Sequence, residues 1–317
     1  MRILFVKTSS LGDVLHQLPA VADVCRALPN AQIDWVVELP FDVLPAMHPQ
    51  VSTVFPVAIR QWRRRFLTRQ TWRDMRACRD ALRRQTYDAV IDTQGLLKSA
   101  LISLQALGVR HGYDYASARE PIASWWYDVK HTVSRQQHAV QRNRQLVAQA
   151  LSLPQPRAAS CDYGLQVNTP NPFTCDGPYA VLLSMSSRDE KLWPEAEWVR
   201  LVQHLSTQGI TSVLPWGNSR EQARVERIVA AAGVGVVPAF LTLPRVAALL
   251  ADARYVIGVD TGLTHLGVAL GRPSVGIYVS TDPAYTGLYG ESVIANLGGP
   301  QAVPSAQAVF EILERHA

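Results

Sequence analysis

The chain has 317 residues, 48% of them hydrophobic and 18% charged, with a formal net charge of +5 and four cysteines. That length suits two domains of about 150 residues each, and the apolar content without a low-complexity tract excludes a disordered chain. No apolar run reaches the roughly 18 residues of a membrane span, the start Met1-Arg2-Ile3-Leu4-Phe5-Val6-Lys7 lacks the pattern of a signal peptide, and Cys25, Cys78, Cys161 and Cys175 lack metal-ligand spacing, so a cytoplasmic protein is expected.

The charge is unevenly spread. Residues 1–160 carry 21 Lys and Arg against 12 Asp and Glu, whereas residues 161–317 carry 10 against 14. Strand-like runs in the first half are Ile3–Thr8, Ile33–Glu38, Thr53–Ala58 and Ala89–Thr93, with helical stretches near 14–27, 69–85, 97–106 and 137–151. After the first strand comes Lys7-Thr8-Ser9-Ser10-Leu11-Gly12-Asp13-Val14-Leu15-His16. A nicotinamide enzyme would show G-x-G-x-x-G there, and this loop has only Gly12. Asp13 stands at a helix start, where it can cap the helix; beside a substrate hydroxyl the same carboxylate could act as a general base. Between Arg60 and Arg84 lie ten arginines and only two acids, with Trp62, Phe66 and Trp72 interleaved. Such a run suits phosphate or carboxylate partners, its aromatic rings suit a membrane interface, and a solvated helix face is the plain alternative.

The stretch from Leu153 to Pro178 holds five prolines and no sustained periodicity, which reads as a linker between domains at 1–160 and 161–317. A second alternation follows, with strands at Ala180–Met185, Ser212–Pro215, Val234–Val237, Tyr255–Val259 and Val275–Val279 and helices near 195–208, 219–231, 244–251, 263–270 and 305–315. The expected fold class is α/β: two Rossmann-like doubly wound domains facing across a cleft, with ligands beyond the carboxyl ends of the strands.

Three strand-to-helix turns of the second half carry chemistry. Ser184-Met185-Ser186-Ser187-Arg188-Asp189-Glu190-Lys191-Leu192-Trp193-Pro194 offers hydroxyls, amides and a cation to a phosphate, although serines before a helix are often only caps. Leu214-Pro215-Trp216-Gly217-Asn218-Ser219-Arg220-Glu221 ends in an acid that could accept from ribose hydroxyls or simply complement a helix dipole. Asp260-Thr261-Gly262-Leu263-Thr264-His265 aims free amides and a positive dipole end at one spot, which suits a diphosphate. Together these turns point to a transferase with a nucleotide-diphosphate donor and an anionic acceptor; a nucleic-acid-binding protein and a non-catalytic nucleotide-binding regulator are the rival classes.

At these residues the chain resembles glycosyltransferase family 9, the ADP-heptose:lipopolysaccharide heptosyltransferases. The resemblance covers essentially the whole chain and rests on Val6 to His16, Asp34-Trp35-Val36-Val37-Glu38, Ile59-Arg60-Gln61-Trp62-Arg63, Asp92-Thr93-Gln94-Gly95-Leu96-Leu97-Lys98-Ser99-Ala100, Ala118-Arg119-Glu120-Pro121, Gln136-Gln137-His138-Ala139-Val140, Arg188 to Pro194, Leu214 to Gly217 and Val259 to His265. It implies a GT-B fold and an inverting transfer of L-glycero-D-manno-heptose from ADP-heptose to the Kdo residue of Kdo-lipid A, or to a later core acceptor. No metal ion and no cofactor are implied. Asp13 would be the base, and Ser186, Ser187, Lys191, Thr261, Gly262 and His265 would hold the donor diphosphate. Glu221 would hold the ribose, Leu241 would pack near the adenine, and Asp260 would support the donor loop or heptose. Arg60, Arg63, Arg64, Lys98 and Arg119 would face the acceptor, with the enzyme peripheral on the anionic cytoplasmic face of the inner membrane and no nucleic-acid partner. Where the family usually has Gly-Pro before Thr-Asp-Pro, this chain has Val279-Ser280 before Thr281-Asp282-Pro283.

Overall fold

In the computed structural model, residues 1–156, 161–300 and 302–316 are described. They form two compact units, Met1–Leu165 and Gln166–Ala317. The expected first domain ends at residue 160, and residues 157–160 of the expected linker lie outside the described residues; the described part from 153 to 178 carries no helix or strand.

The first unit runs β1 (Arg2–Val6), α1 (Leu11–Leu15), α2 (Leu18–Ala27), β2 (Gln32–Glu38), α3 (Val43–Ala46), β3 (Val51–Val57), α4 (Ile59–Arg64), α5 (Arg69–Leu82), β4 (Thr86–Asp92), α6 (Leu97–Ser103), β5 (Leu107–Tyr113), a 3-10 turn at Pro121–Trp126, β6 (Val129–His131) and α7 (Ala139–Ala150). Its strands form one sheet in the order β3-β2-β1-β4-β5-β6, every pairing parallel. This is the Rossmann order, whose strand carboxyl ends share one edge. The central strands are apolar on both faces because helices cover both; Ile3, Leu4, Phe5 and Val6 of β1 are fully buried.

The second unit runs β7 (Tyr179–Leu183), α8 (Glu195–Thr207), β8 (Thr211–Val213), α9 (Ser219–Ala232), α10 (Leu243–Ala251), β9 (Tyr255–Val259), α11 (Gly262–Ala269), β10 (Ser274–Tyr278), α12 (Pro283–Thr286), β11 (Val293–Gly298) and α13 (Ala306–Glu314). The sheet order is β11-β10-β9-β7-β8, again all parallel. The spacing of Trp198, Leu201, Val202 and Leu205 puts one face of α8 into the core, with Trp193 edge-on to Trp198 at 5.0 Å. Helix α9 starts on an Asn218 side-chain cap and stops at Gly233, whose φ of 73° a residue with a Cβ rarely adopts.

Several expectations need correction. Val234–Val237 is not a strand: Val236 makes a single parallel bridge to Val213, because Gly233 and Gly235 have positive φ and Pro238 follows. That bridge nevertheless stands where the third Rossmann strand would, so both units share one topology. The helix expected at 14–27 is two, since Pro19 belongs to a first turn and restarts the helix after Gln17. The helix expected at 97–106 ends at Ser103, and α4 was not expected. Strands β5, β6 and β11 were not anticipated either: Leu107–Tyr113 mixes Gly, Arg and His, Val129–His131 has three residues, and Val293–Gly298 carries Asn and Gly.

Candidate active site

In the second unit the chemistry gathers beyond β7 and β9. Helix α11 packs closely on the sheet because Gly258 and Gly267 lack side chains: a Cβ at Gly258 would overlap the Thr264 side chain and lie 2.8 Å from the Leu183 Cβ, and one at Gly267 would lie 2.7 Å from Val256 Cγ1. The helix start at Thr261 and Gly262 is thereby fixed at the strand end, beside Asp260. Lys191, in a 3-10 turn (Asp189–Lys191), donates from Nζ to Asp260 Oδ2 at 2.6 Å. Thr281 donates to the same oxygen at 2.8 Å, His265 Nε2 lies 3.9 Å from Oδ1, and Ser186 Oγ donates to the Asp260 carbonyl at 3.2 Å. Burial would raise the Asp260 pKa, but hydrogen bonds from His265, Lys191 and Thr281, with the Lys191 charge, outweigh it and hold the carboxyl well below its usual range. A permanent anion thus orients an ammonium whose other two N–H groups can serve a ligand.

Ser187 is exposed on the same loop. Glu221 stands apart from this cluster: Oε2 accepts from the Gly217 amide and Oε1 from Asn218 Nδ2, both at 2.8 Å, so the capping role is met and each oxygen keeps a further lone pair. Leu241 is 8% exposed and follows Phe240, whose ring lies 5.6 Å from that of Trp216. Thr281 is a residue missed in the sequence; it lies in the turn beyond β10, past Val279 and Ser280, and inspection of every strand end for hydroxyls would have found it.

In the first unit Asp13 lies in the first turn of α1. Its Oδ2 accepts the Ser10 N–H at 2.8 Å and lies 3.9 Å from Arg119 Nη1, so capping and a cationic neighbour both fall on one oxygen. Lys98 Nζ donates to Ser9 Oγ at 3.0 Å and lies 3.8 Å from Glu38 Oε2, while Glu38 Oε1 accepts the Arg60 N–H at 2.9 Å. Glu38 is 1% exposed and was also missed: its place at the end of β2 was the available signal. Asp13, Lys98, Arg119 and Arg60 are therefore brought to one edge of this sheet. Arg63 and Arg64 sit exposed on α4, without an acidic partner among the described residues. Lys7 is buried, and burial lowers its pKa against the raising effect of Asp13 and Asp92.

Among the described residues no helix is long and apolar enough to cross a membrane, and no group of three or more His, Cys, Asp or Glu could hold a metal ion.

Two Rossmann-like units, one with a lysine–aspartate pair beside a helix start and one with a carboxylate among cations, have the GT-B glycosyltransferase architecture. The family model for glycosyltransferase family 9 (heptosyltransferase) matches residues 75–311. A lipopolysaccharide heptosyltransferase 1 from Escherichia coli O18:K1:H7 is 44% identical, covering 100% of this chain and 98% of its own. The solved E. coli heptosyltransferase WaaC with ADP superimposes with a TM-score of 0.93 at 42% identity, each chain covered completely; WaaC with ADP-2-deoxy-2-fluoro heptose gives 0.90, also at 42% identity and complete coverage. The chain belongs to glycosyltransferase family 9, the heptosyltransferases, and is a glycosyltransferase.

Proposed function

We propose that the enzyme transfers heptose from ADP-L-glycero-D-manno-heptose to a Kdo residue of Kdo-lipid A, with inversion and without a metal ion. Relatives at 44% identity over the full length are lipopolysaccharide heptosyltransferases 1, and similar solved structures contain ADP or a fluorinated ADP-heptose. The observation that carries the reading is the convergence of Lys191, His265 and the start of α11 on Asp260.

The acceptor oxygen attacks the anomeric carbon opposite the departing diphosphate, through an oxocarbenium-like state comparable to that of glycoside hydrolysis. The C–O bond to ADP breaks as the new glycosidic bond forms, and Asp13 takes the acceptor proton. Charge then develops on the diphosphate, where Lys191, the Ser186 and Ser187 hydroxyls, Thr261, Gly262 and His265 receive it. A cation and a helix N-terminus do here what a metal ion does elsewhere. Glu221 accepts from the ribose through its remaining lone pairs, Leu241 packs against the adenine, and Asp260 supports the donor loop. Arg60, Arg63, Arg64, Lys98 and Arg119 receive the acceptor's carboxylate and phosphates.

A peripheral position on the anionic cytoplasmic face of the inner membrane follows from the same arginines, with Phe66 52%, Leu67 95% and Trp72 43% exposed beside them. Trp62, by contrast, packs partly buried against the core and does not join that face.

Incubation with ADP-heptose and Kdo-lipid A should give, by mass spectrometry, a product heavier by one heptosyl unit, with and without EDTA. Turnover only of an acceptor that already carries heptose would replace Kdo as acceptor. Activity lost to EDTA and restored by a divalent ion would overturn metal independence.

A further inference from the structure

The loop that carries Asp13 is gripped by a buried assembly that the proposed chemistry does not itself use. Asp92, the last residue of β4, is fully buried. Its Oδ1 accepts the Gln94 and Gly95 amides at 2.8 and 3.2 Å, and its Oδ2 accepts the Tyr127 hydroxyl at 2.7 Å. Burial raises the Asp92 pKa above its usual value, and the hydrogen bonds from Tyr127, Ser99, Gln94 and Gly95 oppose that rise in part. Tyr127 fits beside β5 because Gly112 has no Cβ; one there would overlap the ring.

Gln94, 4% exposed and thus held by its backbone, turns its Oε1 toward the loop after β1 and accepts the Thr8 and Ser9 amides at 3.1 and 3.3 Å. An amide oxygen has two lone pairs, and both are in use. The next amide, Ser10, is the one bound by Asp13 Oδ2. Three consecutive N–H groups are therefore fixed, two by Gln94 and the third by Asp13. From the other side the Glu38 amide donates to the Thr8 carbonyl at 2.9 Å, and Lys7 Nζ donates to the Thr93 carbonyl at 2.9 Å. The loop is tied to both neighbouring strands, and the Gln94 side chain holds the two amides just before the one bound by the carboxylate.

We propose that Gln94, oriented by Asp92 and Tyr127, is a positioning residue that sets the place of the Asp13 carboxylate. This rests on Asp13 being the base. Loss of the Oε1 acceptor frees two buried amides, which then seek other partners and drag the loop with them. A displacement of about 1 Å in a reacting group can cost roughly a hundredfold in rate. The effect falls on kcat, because Gln94 and Asp92 are both buried and act on the loop rather than on an exposed surface.

The test uses Gln94→Met, which keeps length and removes the acceptor, and Tyr127→Phe, which removes only the O–H on Asp92. Gln94→Met should lower kcat roughly ten- to hundredfold, with the KM of both substrates and the ADP Kd moving less than about twofold. Tyr127→Phe should lower kcat less, in the same pattern, and decides the matter if Gln94→Met does not fold. A normal kcat in the folded variants, or a loss carried by KM, overturns the inference. Asp13→Ala measured alongside separates the two ideas: loss of transfer there with a normal Gln94→Met removes only the positioning role, whereas normal turnover of Asp13→Ala removes the base itself.

Discussion

The two units share a strand order yet treat charge in opposite ways. Each places its chemistry after its first strand and a strand paired with it: Asp13 and Lys98 after β1 and β4, Lys191 and Asp260 after β7 and β9. In the second unit the cation and anion touch at 2.6 Å with side chains 19% and 12% exposed. In the first unit the ion pairs around Glu38 and Asp13 are looser, at 3.7 to 3.9 Å, and their cationic side chains are 35 to 64% exposed. Exposed pairs at such distances contribute little and are screened by salt, while a half-sheltered, hydrogen-bonded pair keeps its geometry. The rigid cluster suits a compact diphosphate whose charges lie at fixed spacing. Long exposed arginines suit a larger, looser anion, which each can reach independently.

The sharpest way to break that contrast is Asp13→Ala. Loss of a positioned base should lower kcat by roughly 10²- to 10⁴-fold, while ADP affinity, measured by calorimetry, stays within about twofold because the second unit is untouched. A parallel loss of ADP affinity would mean that the division of labour is wrong. Lys191→Ala comes next, at roughly 10²- to 10³-fold in kcat/KM, with weaker donor binding as well as slower transfer. It also leaves Asp260 with His265 and Thr281 but no full counter-charge, so the melting temperature should fall. If neither kinetic constant moved, Lys191 would be no more than the partner of Asp260.

A smaller change tests the looser half. Replacing Arg63 and Arg64 together with Ala should raise the acceptor KM roughly three- to tenfold, with the donor KM unchanged and the effect shrinking as salt is added. Equal effects on both substrates would contradict an acceptor face.

Much of this contrast was legible in the sequence because charge and strand ends are written locally. Tyr255–Val259 followed by Asp260-Thr261-Gly262 is a continuous apolar run meeting a helix start, and it folds as read. The uneven charge of the halves was visible by counting. What stayed hidden depends on neighbours distant in sequence. Thr281 meets Asp260 across 21 positions, and Gln94 meets Thr8 across 86, and no local period encodes either. Strand β5, with its Gly, Arg and His, owes its state to pairing with β4 and β6 rather than to its own residues, so tertiary context overrode propensity.

The smallest expected effect concerns stability, and it belongs to the first unit. His48, His111 and His131 each have a pKa lowered from 6.5, chiefly by burial; His131 adds to the effect on His111, and Asp162 and Asp128 oppose it at His48 and His111. The rings of His111 and His131 stack at 5.4 Å with Nδ1 and Nε2 3.1 Å apart, a bond that needs one nitrogen to accept. The native state therefore binds fewer protons than the unfolded chain near pH 6. Its stability from these groups is complete above about 6.5, falls as pH drops through that value, and levels off below the lowered native values. Asp128, pulled down to about 2 by its hydrogen bond with Arg110, affects stability only below about 4, where unfolded carboxylates protonate, whereas Asp92, its pKa raised by burial, contributes a trend of opposite sign above that value. The melting temperature should thus decline by a few degrees from pH 7.5 to 5. His131→Gln should flatten that slope by removing one titrating ring and the repulsion on the other. A slope in His131→Gln equal to that of the wild type would show that these imidazoles titrate as they do in the unfolded chain.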